Sequence, residues 1–193
     1  MGGLVDQSRP FAVFNADSKT LHRIAPHIQR VLVIDSASAS ARMAGDLMKS
    51  MGARQIALAT RTDRAFGVLA EFEPQIVLTE LAGPHLDGLD FTRRLRRSAA
   101  ASRHAPVIMI TTEATAASIV AARNAGVHEF LRKPYTAGDL FRRVENVVLK
   151  PRPWIEAQTY VGPDRRRFNS GEFDGAKKRR TDAFKPAGAA ATG

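Results

Sequence analysis

A chain of 193 residues with 44% hydrophobic content is long enough to bury one good core and still carry extensions. It contains no cysteine, which excludes disulfides and thiolate sites and makes a reducing cytoplasm the default compartment, and no apolar run approaches the roughly 20 residues of a membrane span. Its formal net charge of +10 favours anionic partners but says nothing about fold.

Residues 1–29 read as an N-terminal extension. Asp6 and Arg9 interrupt any signal-peptide-like apolar stretch. FAVF at Phe11–Phe14 is a short apolar run, and Lys19–Gln29 predicts a short helix interrupted by Pro26. From residue 30 to 150 the pattern alternates. Apolar runs of strand length occur at Val31–Ile34, Gln55–Ala59, Gln75–Leu78, Val107–Ile110 and Glu129–Leu131. Amphipathic stretches lie between them: Met43, Leu47 and Met51 at spacings of four, then Phe91 with Leu95, then Leu140, Val144, Val147 and Val148. Helix starts are marked at Thr62-Asp63, Thr112-Glu113 and Thr136. This order predicts an α/β, doubly wound, five-stranded parallel sheet with helices on both faces. In that architecture ligand chemistry gathers at the carboxyl ends of the strands. Those ends hold Asp35, Glu80, Thr111 and Lys133.

Other chemistry-bearing residues point nowhere in particular. Arg93, Arg94, Arg96 and Arg97 read as one solvated helix face. His22, His27, His85, His104 and His128 show no metal-ligand spacing and read as surface or loop residues. No Ser/His/Asp set, phosphate-binding loop or G-x-G-x-x-G fingerprint is present, so no enzymatic activity is expected.

Residues 151–193 form a basic tail with nine Lys or Arg against five Asp or Glu. Pro151, Pro153, Pro163 and Pro186 and an Ala/Gly-rich end predict that it does not fold alone and gains order on binding. The tail repeats itself. Shifted by 13 residues, Tyr160 falls on Phe173, Gly162 on Gly175, Arg165 on Lys178, Arg166 on Arg179 and Arg167 on Arg180. Two like half-sites suit a ligand with two like halves. Arginine planes stack on bases and pair two donors with guanine or phosphate, and glycine lets a backbone approach closely. Cyclic di-GMP fits that description. The alternative is a disordered polybasic tail for nucleic acid or acidic surfaces. Within the repeat, Arg166, Arg167, Arg179 and Arg180 are assigned to stacking and phosphate pairing, with Arg165 and Lys178 adding charge. Asp164 is either an acceptor for a guanine edge or a turn residue after Pro163. Tyr160 and Phe173 either stack on purines or pack the tail onto the preceding domain. Trp154, the single tryptophan, is assigned to packing at the end of the last helix.

The stretches VLVIDS, IVLTELAGPHLDG, PVIMITT and FLRKP resemble a CheY-type response-regulator receiver over about residues 30–150. The resemblance places Glu80 where receivers carry the phosphoacceptor aspartate. Thr111 and Lys133 fall on the family's threonine and lysine, and Phe130 on its switch aromatic. The acidic pair of the first strand is reduced to Asp35 followed by Ser36, which weakens a magnesium site, so no magnesium is expected. Glu80, one methylene longer than aspartate, is expected to pair with Lys133 and hydrogen-bond Thr111. That reads either as a fixed ion pair mimicking the phosphorylated state or as decay of an unused pocket. The tail, WIEAQTYVGPDRRRFNSG followed by GAKKRR, is similar to the arginine-rich extension of alphaproteobacterial CheY-like flagellar-motor effectors. That resemblance implies a cyclic di-GMP receptor that engages a protein target, the flagellar motor switch, and works in the cytoplasm with recruitment to the flagellar pole. The rivals are a phosphorylation-dependent response regulator and a nucleic-acid-binding protein.

Overall fold

The structure is a computed structural model that describes residues 17–166. It begins with α1 (Ser18–Ile24), capped by the Asp17 carboxylate, which accepts from the Lys19 amide. The helix stops short of Pro26 and tightens into a 3-10 turn over Ala25–His27. Then follow β1 (Arg30–Ile34), α2 (Ser38–Ser50), β2 (Gln55–Ala59), α3 (Thr62–Phe72) and β3 (Ile76–Glu80). A small antiparallel ladder of β4 (Ala82–Gly83) and β5 (Leu86–Asp87) leads into α4 (Gly88–Arg97). The unit closes with β6 (Val107–Thr111), α5 (Ala116–Ala125), β7 (Glu129–Arg132) and α6 (Ala137–Leu149).

The five long strands form one parallel sheet in the order β2-β1-β3-β6-β7. Their residues alternate between two cores, because successive side chains of a strand point to opposite faces. Val31, Val33, Leu78, Ile108 and Leu131 face α1, α2 and α6. Leu32, Ile34, Val77, Val107 and Met109 face α3, α4 and α5. Both faces are covered, which is why the strands read as continuous apolar runs. The strand order reverses at β1, flanked by β2 and β3, and Asp35 and Glu80 end the strands at that switch point.

Local signals account for most boundaries. Thr136 and Asp139 form a reciprocal capping box at the start of α6. The Thr112-Glu113 start is displaced: Thr111 Oγ1 accepts from the Glu113 amide in a turn, and Thr115 caps α5 through the Ser118 amide.

After α6 the chain does not leave the domain. β8 (Trp154–Ala157) and β9 (Tyr160–Pro163) form an antiparallel hairpin that packs on α4 and α5. Its contacts are intramolecular, which corrects the expectation that Tyr160 and its neighbours gain structure only on binding. Two arginines hold it. Arg96, 1% exposed and not part of a solvated face, donates to the carbonyls of Gly126, Arg103 and Ala105 at 3.0, 2.6 and 2.9 Å. Burial pulls its pKa down to about 9, so it keeps its charge at neutral pH. Arg152 donates to the carbonyls of Val127, His128 and Asp164. His128 lies in the turn between α5 and β7 but is not a free surface group: its Nδ1 takes the Val107 amide at 3.2 Å and faces Arg96 Nη2. Burial, and then the Arg96 and Arg152 charges, hold its pKa well below the ordinary histidine value.

Two glycines let the hairpin approach. Gly126 ends α5 at φ +96°, and a Cβ there would press on the Arg96 side chain and the Val161 carbonyl. Gly162, at φ +154°, would drive a Cβ to 2.7 Å from the Tyr160 hydroxyl and 3.0 Å from Gly126 Cα. The freedom of Gly162 therefore serves hairpin docking.

Candidate functional site

The strand ends at the switch point build a closed polar cluster. Glu80 reaches across to Ser36 and Lys133: its Oε2 accepts from the Ser36 amide at 3.0 Å and the Ser36 hydroxyl at 2.6 Å. Its Oε1 pairs with Lys133 Nζ at 3.1 Å. The same ammonium pairs with Asp35 Oδ2 at 2.6 Å. Asp35 is fixed in turn by the Ser40 hydroxyl at 2.6 Å and the Ala37 amide at 2.9 Å. Burial alone would lower the lysine's pKa, but its hydrogen bonds to Asp35 and Glu80 outweigh that and raise it. The expected pairing with Thr111 is absent. That residue lies 4% exposed at the end of β6, and its hydroxyl is turned to the Glu113 amide. Gly83 closes the cluster from above: a Cβ there would fall 2.4 Å from Ser36 Oγ.

This donor set does not fit magnesium, which needs a near-octahedral shell of oxygens. Ser36 supplies a hydroxyl in place of a second acid, and the Lys133 ammonium lies between the two carboxylates that remain. Among the described residues no group of three or more His, Cys, Asp or Glu is placed to hold a metal.

The second site lies between the hairpin and the α5–β7 edge. A cleft of about 960 Å³ is bordered by Arg123, Arg143, Arg152, Arg165 and Arg166, with Ile119, Phe130 and Ile155 as its apolar wall. Its two carboxylates, Glu129 and Asp164, are engaged: Glu129 pairs with Arg143 at 3.0 Å, and Asp164 Oδ1 accepts from the Arg166 amide at 3.0 Å. The guanidinium of Arg165 lies 4.5 Å over the Tyr160 ring and donates to Asn124 Oδ1 at 3.0 Å.

Of the residues assigned to the ligand, Arg165 and Arg166 therefore reach the cleft together. Asp164 acts as a turn residue through the Arg166 amide. Tyr160 is 6% exposed, donates its hydroxyl to the Pro163 carbonyl at 2.6 Å and packs the hairpin, so it offers no open stacking face. Phe130 lies half-buried on β7 and borders the same cleft. Arg167, Phe173, Lys178, Arg179 and Arg180 lie outside the described residues. Trp154 packs with its ring 4.4 Å from that of His104, on the hairpin and not at the end of α6. Ser40, Arg123, Arg143 and Arg152 escaped the sequence reading, and Arg96 was placed on a solvated face. A signal existed for Arg96, which shares the inner face of α4 with Phe91, Thr92 and Leu95. None existed for Arg152, whose partners are main-chain carbonyls brought in by the fold.

The family described as the response regulator receiver domain matches residues 31–145. The chain is 29% identical over 120 residues to the chemotaxis protein CheY1 of Helicobacter pylori, covering 62% of this chain and 96% of that protein. It is 28% identical over 118 residues to the chemotaxis protein CheY-3 of Vibrio cholerae, covering 61% and 90%. A solved receiver domain from Bermanella marisrubri superposes with a TM-score of 0.56 at 29% identity, covering 63% of this chain and 98% of that one. A CheY-like receiver from Methanospirillum hungatei gives 0.57 at 17% identity, covering 64% and 95%, a likeness of fold alone. The family match ends before the hairpin and the arginine-rich segment begin.

Proposed function

The chain belongs to the response regulator receiver family, and from that premise we propose that it is a non-enzymatic receptor for cyclic di-GMP. Its arginine-rich segment binds the dinucleotide, and the loaded protein then engages a protein target, the flagellar motor switch. It works in the cytoplasm and is recruited to the flagellar pole. One observation carries the reading: Arg165 and Arg166 of the first half-site follow directly on the hairpin and border a cleft together with Arg123, Arg143 and Arg152. The second half-site, Lys178 to Arg180, repeats its residue types. The acceptor cluster supports the same reading from the other side. Glu80 and Lys133 are joined where a receiver would take a phosphoryl group and a magnesium ion, so the input is moved from phosphorylation to the tail.

Calorimetry of the full chain tests this. Cyclic di-GMP should bind saturably, with GTP and cyclic di-AMP rejected. Arg166→Ala and Arg179→Ala should each weaken binding by roughly 10- to 150-fold, the loss of one forked, charge-assisted contact of about 1.5–3 kcal/mol. A steep, sequence-independent salt dependence on oligonucleotides would favour nucleic acid instead. Intact mass after incubation with acetyl phosphate and magnesium should show no phosphoryl adduct. A stable adduct would restore the phosphorylation-dependent regulator.

A further inference from the structure

Resting on the receptor reading above, we infer that the receiver supplies part of the dinucleotide site: Arg123 and Ile119 of α5 line the same cleft as Arg165, Arg166 and Ile155 of the hairpin segment. Charge is the first argument. The cleft is bordered by five arginines and two carboxylates, and each carboxylate is already engaged by an arginine, Glu129 by Arg143 and Asp164 by Arg166. The surplus is positive. Arg123 is exposed and, among the described residues, has no ion pair or side-chain hydrogen bond. His128, which lines the same cleft, is held neutral by its burial, so it neither adds to nor offsets that charge.

Apolar surface is the second argument. Ile119 is 42% exposed and Ile155 38%, and both line the cleft, one from α5 and one from β8. Guanine rings carry apolar faces and the dinucleotide carries two phosphates, so apolar walls rimmed by guanidinium groups match both parts of the ligand. Geometry is the third. Arg165 is tied to Asn124, the neighbour of Arg123, and its plane is set over Tyr160. A ligand on the first half-site therefore meets α5 as well. The volume of about 960 Å³ lies at the upper end of small-molecule sites.

The full chain carries the test, with cyclic di-GMP as the probe. Arg123→Glu and Ile119→Asp change exposed positions, and each should weaken binding by roughly tenfold, about the worth of one charge-assisted or apolar contact. Hydrogen exchange of residues 116–132 should slow when the dinucleotide is added. If the unaltered chain binds and Arg166→Ala does not, but both α5 variants bind normally and exchange there is unmoved, the ligand sits on the tail alone. That result overturns the shared site and leaves the receptor reading intact. If the unaltered chain does not bind cyclic di-GMP at all, both fall.

Discussion

At Lys133, burial and charge pairing act in opposite directions, and pairing wins. Its ammonium is joined to Asp35 at 2.6 Å and Glu80 at 3.1 Å, with all three side chains largely buried. Replacing it by Lys133→Met leaves two carboxylates facing each other without a cation. Chemical denaturation should show a loss of about 3–5 kcal/mol, the usual result of breaking a buried pair from one side. The raised lysine pKa fixes the pH dependence: its contribution is present below the unfolded lysine value of about 10.4 and is lost as pH rises through the folded one. Tyr135 acts in the same direction. Its hydroxyl is buried without a hydrogen-bond partner among the described residues, and burial, with Asp35 nearby, pushes its pKa up to about 12. Tyr160 is also raised, chiefly by burial. A spectrophotometric titration of the two tyrosines should therefore show neither phenol ionising at the ordinary value of about 10 while the fold persists. Stability should fall between about pH 10 and 12, and the lysine part of that fall should vanish in Lys133→Met.

The element that most changes the reading of the sequence is the β8–β9 hairpin. Its anchor, Arg96, has no carboxylate partner among the described residues and satisfies its donors on three carbonyls and the His128 ring. Arg96→Leu strands those carbonyls, at about 1–3 kcal/mol for each one left buried and unpaired. Trp154, the single tryptophan, packs on His104 at the hairpin and reports docking. Its emission should shift to the red in Arg96→Leu at denaturant concentrations where the unaltered chain is still native. Acid should loosen the same joint. The folded pKa of His128 is depressed, so its neutral form contributes fully above the unfolded value of about 6.5 and that contribution is lost as pH falls. A Trp154 transition setting in below about pH 6.5, and weakened by His128→Gln, is the expected result. Arg96 was legible in the helical period, since it falls on the same side of α4 as Phe91 and Leu95. Reading four arginines as one charged face hid it.

For the whole molecule, the sheet was legible because its inner strands β1, β3 and β6 are buried on both faces and so appear as unbroken apolar runs; Val31–Ile34 and Val107–Ile110 needed no further context. The Glu80–Lys133 pair was legible through strand-end position. The Thr111 contact was not, because a local turn to the Glu113 amide competes for the same hydroxyl. The hairpin was not legible either. Its stability comes from Gly126 meeting Gly162, and from two arginines donating to carbonyls supplied by the α4–β6 connection, the end of α5, the turn before β7 and the chain after β9. Periodicity within a segment carries no trace of such contacts. A consequence for the chain as a unit is that a cut after Lys150 and a cut after Arg166 should behave differently. The first removes Arg152, Trp154 and Tyr160, and uncovers Arg96 and the apolar residues beneath it. The second keeps every contact of the hairpin that the structure describes. Tyr160 alone hides an aromatic side chain whose burial contributes about 1.5–3 kcal/mol. Urea denaturation should therefore place the shorter chain several kcal/mol below the longer one, with a smaller m-value because less surface is buried. Both should fail to bind cyclic di-GMP tightly, since both lack Arg179 and Arg180. Equal stability of the two truncations would mean that the hairpin is only loosely held, and that the first half-site is not positioned by the receiver.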